Sequence, residues 1–115
     1  MPTLPTCIIA DDHSVMREVM TMRLEDEGAV NVVAQAVNGL DAIRLIRLHQ
    51  PDIALVDLRM PAATGIDVAA AVAKEHVPTK VLLVSACVDA AMVARARAAG
   101  AHGYLPKDAS RSVLA

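Results

Sequence analysis

Ile53-Ala54-Leu55-Val56-Asp57 is the stretch on which the fold turns. Four apolar residues without a break describe a strand covered on both faces, as strands inside parallel sheets are. The acid that closes the run loses hydration there unless partners meet it. Val81-Leu82-Leu83-Val84 repeats the pattern and ends at Ser85, and Cys7-Ile8-Ile9-Ala10 repeats it and ends at Asp11-Asp12. Val30 to Ala36 is interrupted by Asn31 and Gln35, which a strand tolerates at a sheet edge, and His102 to Leu105 makes a fifth short run.

Helical patterns fill the intervals. Val15, Met16, Val19, Met20 and Leu24 predict an apolar stripe on a helix that Gly28 ends. Asn38-Gly39 predicts a turn before a second helix over Leu40 to His49, with Arg44 and Arg47 on its wet face. Gly65 and Asp67 open an alanine-rich third helix reaching His76, and Asp89 caps a fourth that runs to Ala99 with Gly100 as its C-cap. Strand and helix in alternation imply parallel strands joined by right-handed crossovers, a doubly wound α/β sheet. Unbroken runs in the centre and the interrupted run at an edge give the strand order 2-1-3-4-5. Such sheets bind ligands beyond the carboxyl ends of their strands, here where the order reverses between the first and third strands.

Composition narrows the function classes. The 115 residues suit a single domain. Hydrophobic residues make up 55% and charged residues 21%, as in a globular chain. There are 22 alanines, no Phe, no Trp and one Tyr, Tyr104. The core must therefore close through small and branched aliphatic side chains, which argues against a wide cavity walled with aromatics. A net charge of -2 and the absence of stacking platforms remove the footprint of a chain that binds nucleic acid by itself. The first residues lack a basic leader pattern, and no apolar run approaches the roughly 18 to 20 residues that span a bilayer, so a cytoplasmic protein without membrane contact is expected. Cys7 and Cys87 are too few for a disulfide framework and serve as small reduced hydrophobes.

Chemistry collects at the strand ends. They deliver Asp11 and Asp12, then Asp57, then Ser85, and Lys107 follows the fifth strand. Neighbouring strands lie about 4.8 Å apart, so three carboxylates would share one pocket with a hydroxyl and an ammonium. Carboxylates that close repel one another unless a cation compensates, and Mg²⁺ prefers such oxygen ligands. A carboxylate can also attack a phosphoryl group, a transfer that needs mainly positioning and charge neutralisation. Taken singly, each residue has a plainer role: Asp11 or Asp12 capping the next helix, Lys107 and His13 on the surface. It is their joint placement on four strand ends that points to a site.

These pieces resemble the receiver domain of two-component response regulators. The resemblance is carried by Ile8-Ile9-Ala10-Asp11-Asp12-His13, by Leu55-Val56-Asp57-Leu58-Arg59-Met60-Pro61 with Gly65, by Val84-Ser85-Ala86, and by the run from Ala99 to Asp108 that contains Gly103-Tyr104-Leu105-Pro106-Lys107. It covers the chain from about Cys7 to Asp108, and its details look most like the NarL/LuxR-type subfamily, whose members usually carry a C-terminal helix-turn-helix DNA-binding domain. The resemblance implies a flavodoxin-like (CheY-like) fold. It implies that Asp57 accepts a phosphoryl group from a sensor histidine kinase. Asp12 would ligate Mg²⁺ directly, Asp11 mainly through water, and Asp57 with the backbone carbonyl of Arg59 would complete the protein's ligands. Lys107 and Ser85 would hold the phosphoryl oxygens, Ala86 is suitably small beside them, and Tyr104 would swing inward as Ser85 moves. The output surface would span Asp89 to Leu105, with a homodimer as one outcome.

Three departures accompany the likeness. Pro106 precedes Lys107, whereas many receivers place Pro directly after the Lys in a cis bond. Cys87 stands two residues past Ser85, where the family tunes phosphoryl lifetime. Residues 110–115 only begin a fifth helix, so the whole chain, 1–115, is expected to be a receiver with that helix truncated, an apolar patch beside the fifth strand, and DNA contact only through a domain beyond this sequence. Two alternatives remain. One is a docking or dimerising module that works unphosphorylated. The other is a haloacid-dehalogenase-like phosphatase, which wants an Asp where this chain has Arg59.

Overall fold

The computed structural model describes residues 4–86 and 89–106. Strand and helix alternate along it: β1 (Thr6–Ala10), α1 (Ser14–Asp26), β2 (Asn31–Ala36), α2 (Gly39–His49), β3 (Ile53–Asp57), α3 (Gly65–Lys74), β4 (Lys80–Ser85), α4 (Ala90–Ala99) and β5 (Gly103–Pro106). All pairings are parallel and the order is β2-β1-β3-β4-β5, as the hydrophobic runs required. The unbroken runs are the central strands. β2, with its exposed Asn31, Val33 and Gln35, is an edge strand.

Alternate side chains leave the sheet on opposite faces. Ile8, Ala10, Ala54, Val56, Val81 and Leu83 meet Ala42 and Ile46 of α2, Val68, Ala69 and Val72 of α3, and Ala96 of α4. Cys7, Ile9 and Leu55 point the other way, toward Leu24 of α1. Small residues set the spacing on the first face. A Cβ on Gly39 would stand 1.9 Å from the Ala63 carbonyl oxygen, and one on Gly100 would stand 2.7 Å from Ala73 Cβ. Glycine is thus required where the start of α2 meets Ala63 and where the end of α4 meets α3.

Local differences from the sequence expectations have local causes. Gly39 opens α2 rather than forming a turn, because Asn38 sits in the extended region and its side chain accepts the Asp41 N–H as an N-cap. α3 stops at Lys74, two residues short of His76, whose φ of 55° is left-handed. α3 starts with a capping box in which Thr64 and Asp67 satisfy each other's backbone N–H groups. In α1 the expected single stripe is two. Leu24 is buried and Met16 and Met20 are half-buried, but Val15 and Val19 are 71% and 47% exposed. At about 100° per residue, Val15, Val19 and Met22 fall together on the side opposite Leu24.

Candidate functional site

β1 delivers the first two acids to the carboxyl edge of the sheet. The Asp11 N–H donates to the Ala36 carbonyl at 3.1 Å, extending the pairing with β2 by one residue. The Asp11 side chain is buried, and its Oδ1 accepts the His13 N–H at 2.9 Å, which turns the chain into α1. Neither Asp11 nor Asp12 caps that helix: the N-cap residue is His13, and its side chain makes no capping hydrogen bond. Asp12 is the more open of the pair, with its side chain 33% exposed.

β3 delivers the third. Asp57 is 6% exposed at the end of its strand, opposite Val84 of β4, and its Oδ1 receives a long 3.4 Å contact from the Arg59 N–H. The chain then leaves the sheet with Leu58 N–H donating to the Val84 carbonyl at 2.9 Å. Asp11, Asp12, His13 and Asp57 each offer a ligand atom, and these atoms all lie within 4.8 Å of one another. The strand-end argument thus brings its three acids together.

Ser85 closes β4, buried, and pairs with Pro106 of β5. Tyr104, half-buried, pairs with Leu83 and packs against the edge of the larger core cluster. With Val93, Ala96, Arg97 and Ala101 it lines a cavity of about 140 Å³ between α4 and β5. Arg59 stands exposed in the loop after β3, and Ala86 is exposed just past Ser85. No described residue has a cis peptide bond, Leu105–Pro106 included. Lys107, Cys87 and the start of a fifth helix lie outside the described residues.

Two neighbours of the acids were not placed in the site by sequence. His13, expected on the surface, is 70% exposed in its side chain yet turns Nδ1 to within 3.1 Å of both Asp11 Oδ1 and Asp12 Oδ1. Arg17, one helical turn on, donates from Nη1 to the Asp11 carbonyl at 2.7 Å. The signal that could have found both is their i, i+4 spacing, which stacks them on the end of α1 that abuts the acids. Oxygen donors from three carboxylates, two of them buried, form a set that suits a hard divalent cation, because clustered negative charge is stable only when compensated.

Comparison with known proteins agrees with this arrangement. The family described as response regulator receiver domain matches residues 7–115. The "Probable transcriptional regulatory protein NarL" of Mycobacterium tuberculosis is 46% identical over 107 residues, 93% of this chain and 50% of that protein. The transcriptional regulatory protein LnrK of Bacillus subtilis is 35% identical over 93% of this chain and 49% of its own length. The chain therefore spans about half the length of these relatives. Among solved structures, the signal receiver domain of the M. tuberculosis NarL superposes with a TM-score of 0.94 at 43% identity, covering 98% of this chain and 91% of that one. A DNA-binding response regulator of the LuxR family from Staphylococcus aureus gives 0.90 at 31% identity, over 96% and 92%. A family match over nearly the whole sequence, on a fold that gathers the family's acids at one sheet edge, means that this chain belongs to the response regulator receiver domains, of the NarL/LuxR type.

Proposed function

We propose that this chain is a phosphorylation switch in which Asp57 is the phosphoacceptor. The observation that carries the proposal is the convergence of Asp11, Asp12 and Asp57 within 4.8 Å at the carboxyl edge of a parallel sheet. An Asp57 carboxylate oxygen attacks phosphorus, and the bond from phosphorus to the donor nitrogen of a kinase histidine breaks, its electron pair remaining with the imidazole. Asp12, Asp11, Asp57 and the Arg59 carbonyl would hold Mg²⁺, which would supply the charge neutralisation this transfer needs. Lys107 and Ser85 take the phosphoryl oxygens. The chain thus promotes only its own phosphorylation and hydrolysis, and has no separate substrate to turn over.

Phosphorylation adds about -1.5 to -2 charges and three strong acceptors at one strand end. Ser85 reaches those acceptors by shifting inward, and Tyr104 follows into space that the cavity beside it leaves open. The face from Asp89 to Leu105 then carries the output, including any pairing with a second copy. Transcriptional control would act through a C-terminal DNA-binding domain, in line with the greater length of the relatives and with the chain's own net charge of -2. The histidine kinase as donor implies a cytoplasmic setting. Among the described residues, no helix is long and apolar enough to cross a membrane.

The test is labelling by a small phosphodonor such as acetyl phosphate with Mg²⁺. Wild type should take up one acid-labile phosphoryl group and Asp57→Asn none. Stoichiometric label in the Asn variant would remove Asp57 from its role. Rapid phosphate release without accumulation would favour a phosphatase, and no reaction at all a docking module.

A further inference from the structure

α1 leaves an apolar ridge uncovered. Val15, Val19 and Met22 are all exposed, and at about 100° per residue they lie within about 40° of the line directly opposite buried Leu24. The ridge is therefore the part of the helix farthest from the sheet, where a second helix can approach without meeting the rest of the domain. Exposed charges flank it, Glu18 on one side and Arg23 on the other, each about 70° from its centre. The acid nearest Arg23 in its own chain, Glu27, stands 3.8 Å away in an exposed pair that holds the guanidinium only weakly.

We propose that this ridge docks a second copy of the chain, in a two-fold pair whose α1 helices run parallel and touch through Val15, Val19 and Met22. Charge complementarity chooses both the occupant and the direction. The steps of four and three residues along the ridge are those of a coiled-coil seam, and they put Glu18 and Arg23 at the flanking positions that pair between parallel helices. Glu18 of one copy then faces Arg23 of the other, and the two-fold axis repeats the pair, so the ridge is complementary to itself. In an antiparallel pair the side bearing Glu18 and Glu25 would run along the same side of the other copy, and like charges would meet. Asp26 continues the ridge and would meet its own counterpart, which confines the contact to the stretch from Val15 to Arg23. Three apolar side chains per copy are fewer than a stable dimer buries, so the pair is weak and transient. It needs no phosphoryl group and is distinct from the face over residues 89–105. Because α1 begins beside the acids, parallel pairing sets both acid clusters at the same end of the pair.

Sedimentation equilibrium of the whole chain without a phosphodonor tests this. The average mass should rise from monomer toward dimer between about 10 μM and about 1 mM. Val19→Asp should weaken association at least about tenfold. Glu18→Arg and Arg23→Glu should each weaken it at least about threefold, and the double variant, which exchanges the two charges, should regain the wild-type association. That recovery requires contact between copies and does not follow from a change in helix stability, which urea unfolding of each variant measures separately. Asp26→Asn should tighten the pair. A chain that stays monomeric throughout would leave the ridge to a different protein and overturn the proposal. Association indifferent to Val19→Asp would place the interface elsewhere, and a double variant no better than the single ones would exclude the parallel pair; either result overturns it too.

Discussion

The thiol of Cys7 shows how a single buried residue ties stability to pH. It sits on β1 with 1% of its surface exposed, and its Sγ contacts the Ile8 carbonyl at 3.6 Å. Burial pushes its pKa from 9.0 up to about 12, partly opposed by a backbone hydrogen bond at Leu55. Below pH 9 the proton is held in both the folded and unfolded chain, and the thiol adds no pH dependence. Between pH 9 and about 12 the unfolded chain ionises and the folded one does not, so stability falls as pH rises, with a limiting slope of about 1.4 kcal/mol per pH unit. In a Cys87→Ser background, a thiol reagent at pH 8 should modify Cys7 only as fast as the chain opens. The alkaline loss of stability should shrink in Cys7→Ala. Rapid labelling of the native protein would contradict the burial. At this scale the acids were legible, since Asp57 closes an unbroken apolar strand and Asp11 and Asp12 close another. His13 and Arg17 were not, because their i, i+4 spacing says only that they share a helix face, and the fold has to show which way that face points.

Among the elements, α3 bears most directly on Asp57. Its first residue, Gly65, donates its N–H to the Leu58 carbonyl at 2.9 Å, and an added Cβ would stand 2.7 Å from the Asp57 carbonyl oxygen and 3.0 Å from Leu58 Cα. Both obstacles are backbone, so Gly65→Ala has to push the start of α3 away from the end of β3. A cost of about 1–3 kcal/mol is expected from such overpacking, together with slower labelling of Asp57 as the loop holding Arg59 shifts. Thr64→Ala is the control: it removes one half of the capping box, about 1 kcal/mol, without crowding Asp57. Urea unfolding and acetyl phosphate labelling measured on both variants decide the matter. A Gly65→Ala protein as stable and as quickly labelled as wild type would show that the close approach does not position the site. Strand order was readable because burial on both faces leaves an unbroken apolar run. The facing of α1 was not, because Val15 and Val19 sit beside Met16 and Met20 in sequence but about 100° away around the helix, and periodicity alone does not say which stripe meets the sheet.

For the molecule as a whole, the poverty in aromatics has a physical use. With no Trp and no Phe, Tyr104 is the only aromatic side chain, and it lies on β5 next to the cavity under α4. Its emission therefore reports one place in the fold, without background from elsewhere. If phosphorylation at Asp57 draws Ser85 inward and Tyr104 after it, acetyl phosphate with Mg²⁺ should change Tyr104 emission in step with phosphoryl uptake. Asp57→Asn should show no change, and Ser85→Ala should take up label with a diminished one, because the hydroxyl that links the phosphoryl group to β5 is gone. A wild-type chain that labels fully while Tyr104 emission stays constant would uncouple the aromatic from the switch. The output would then have to leave the domain by a route that does not include β5.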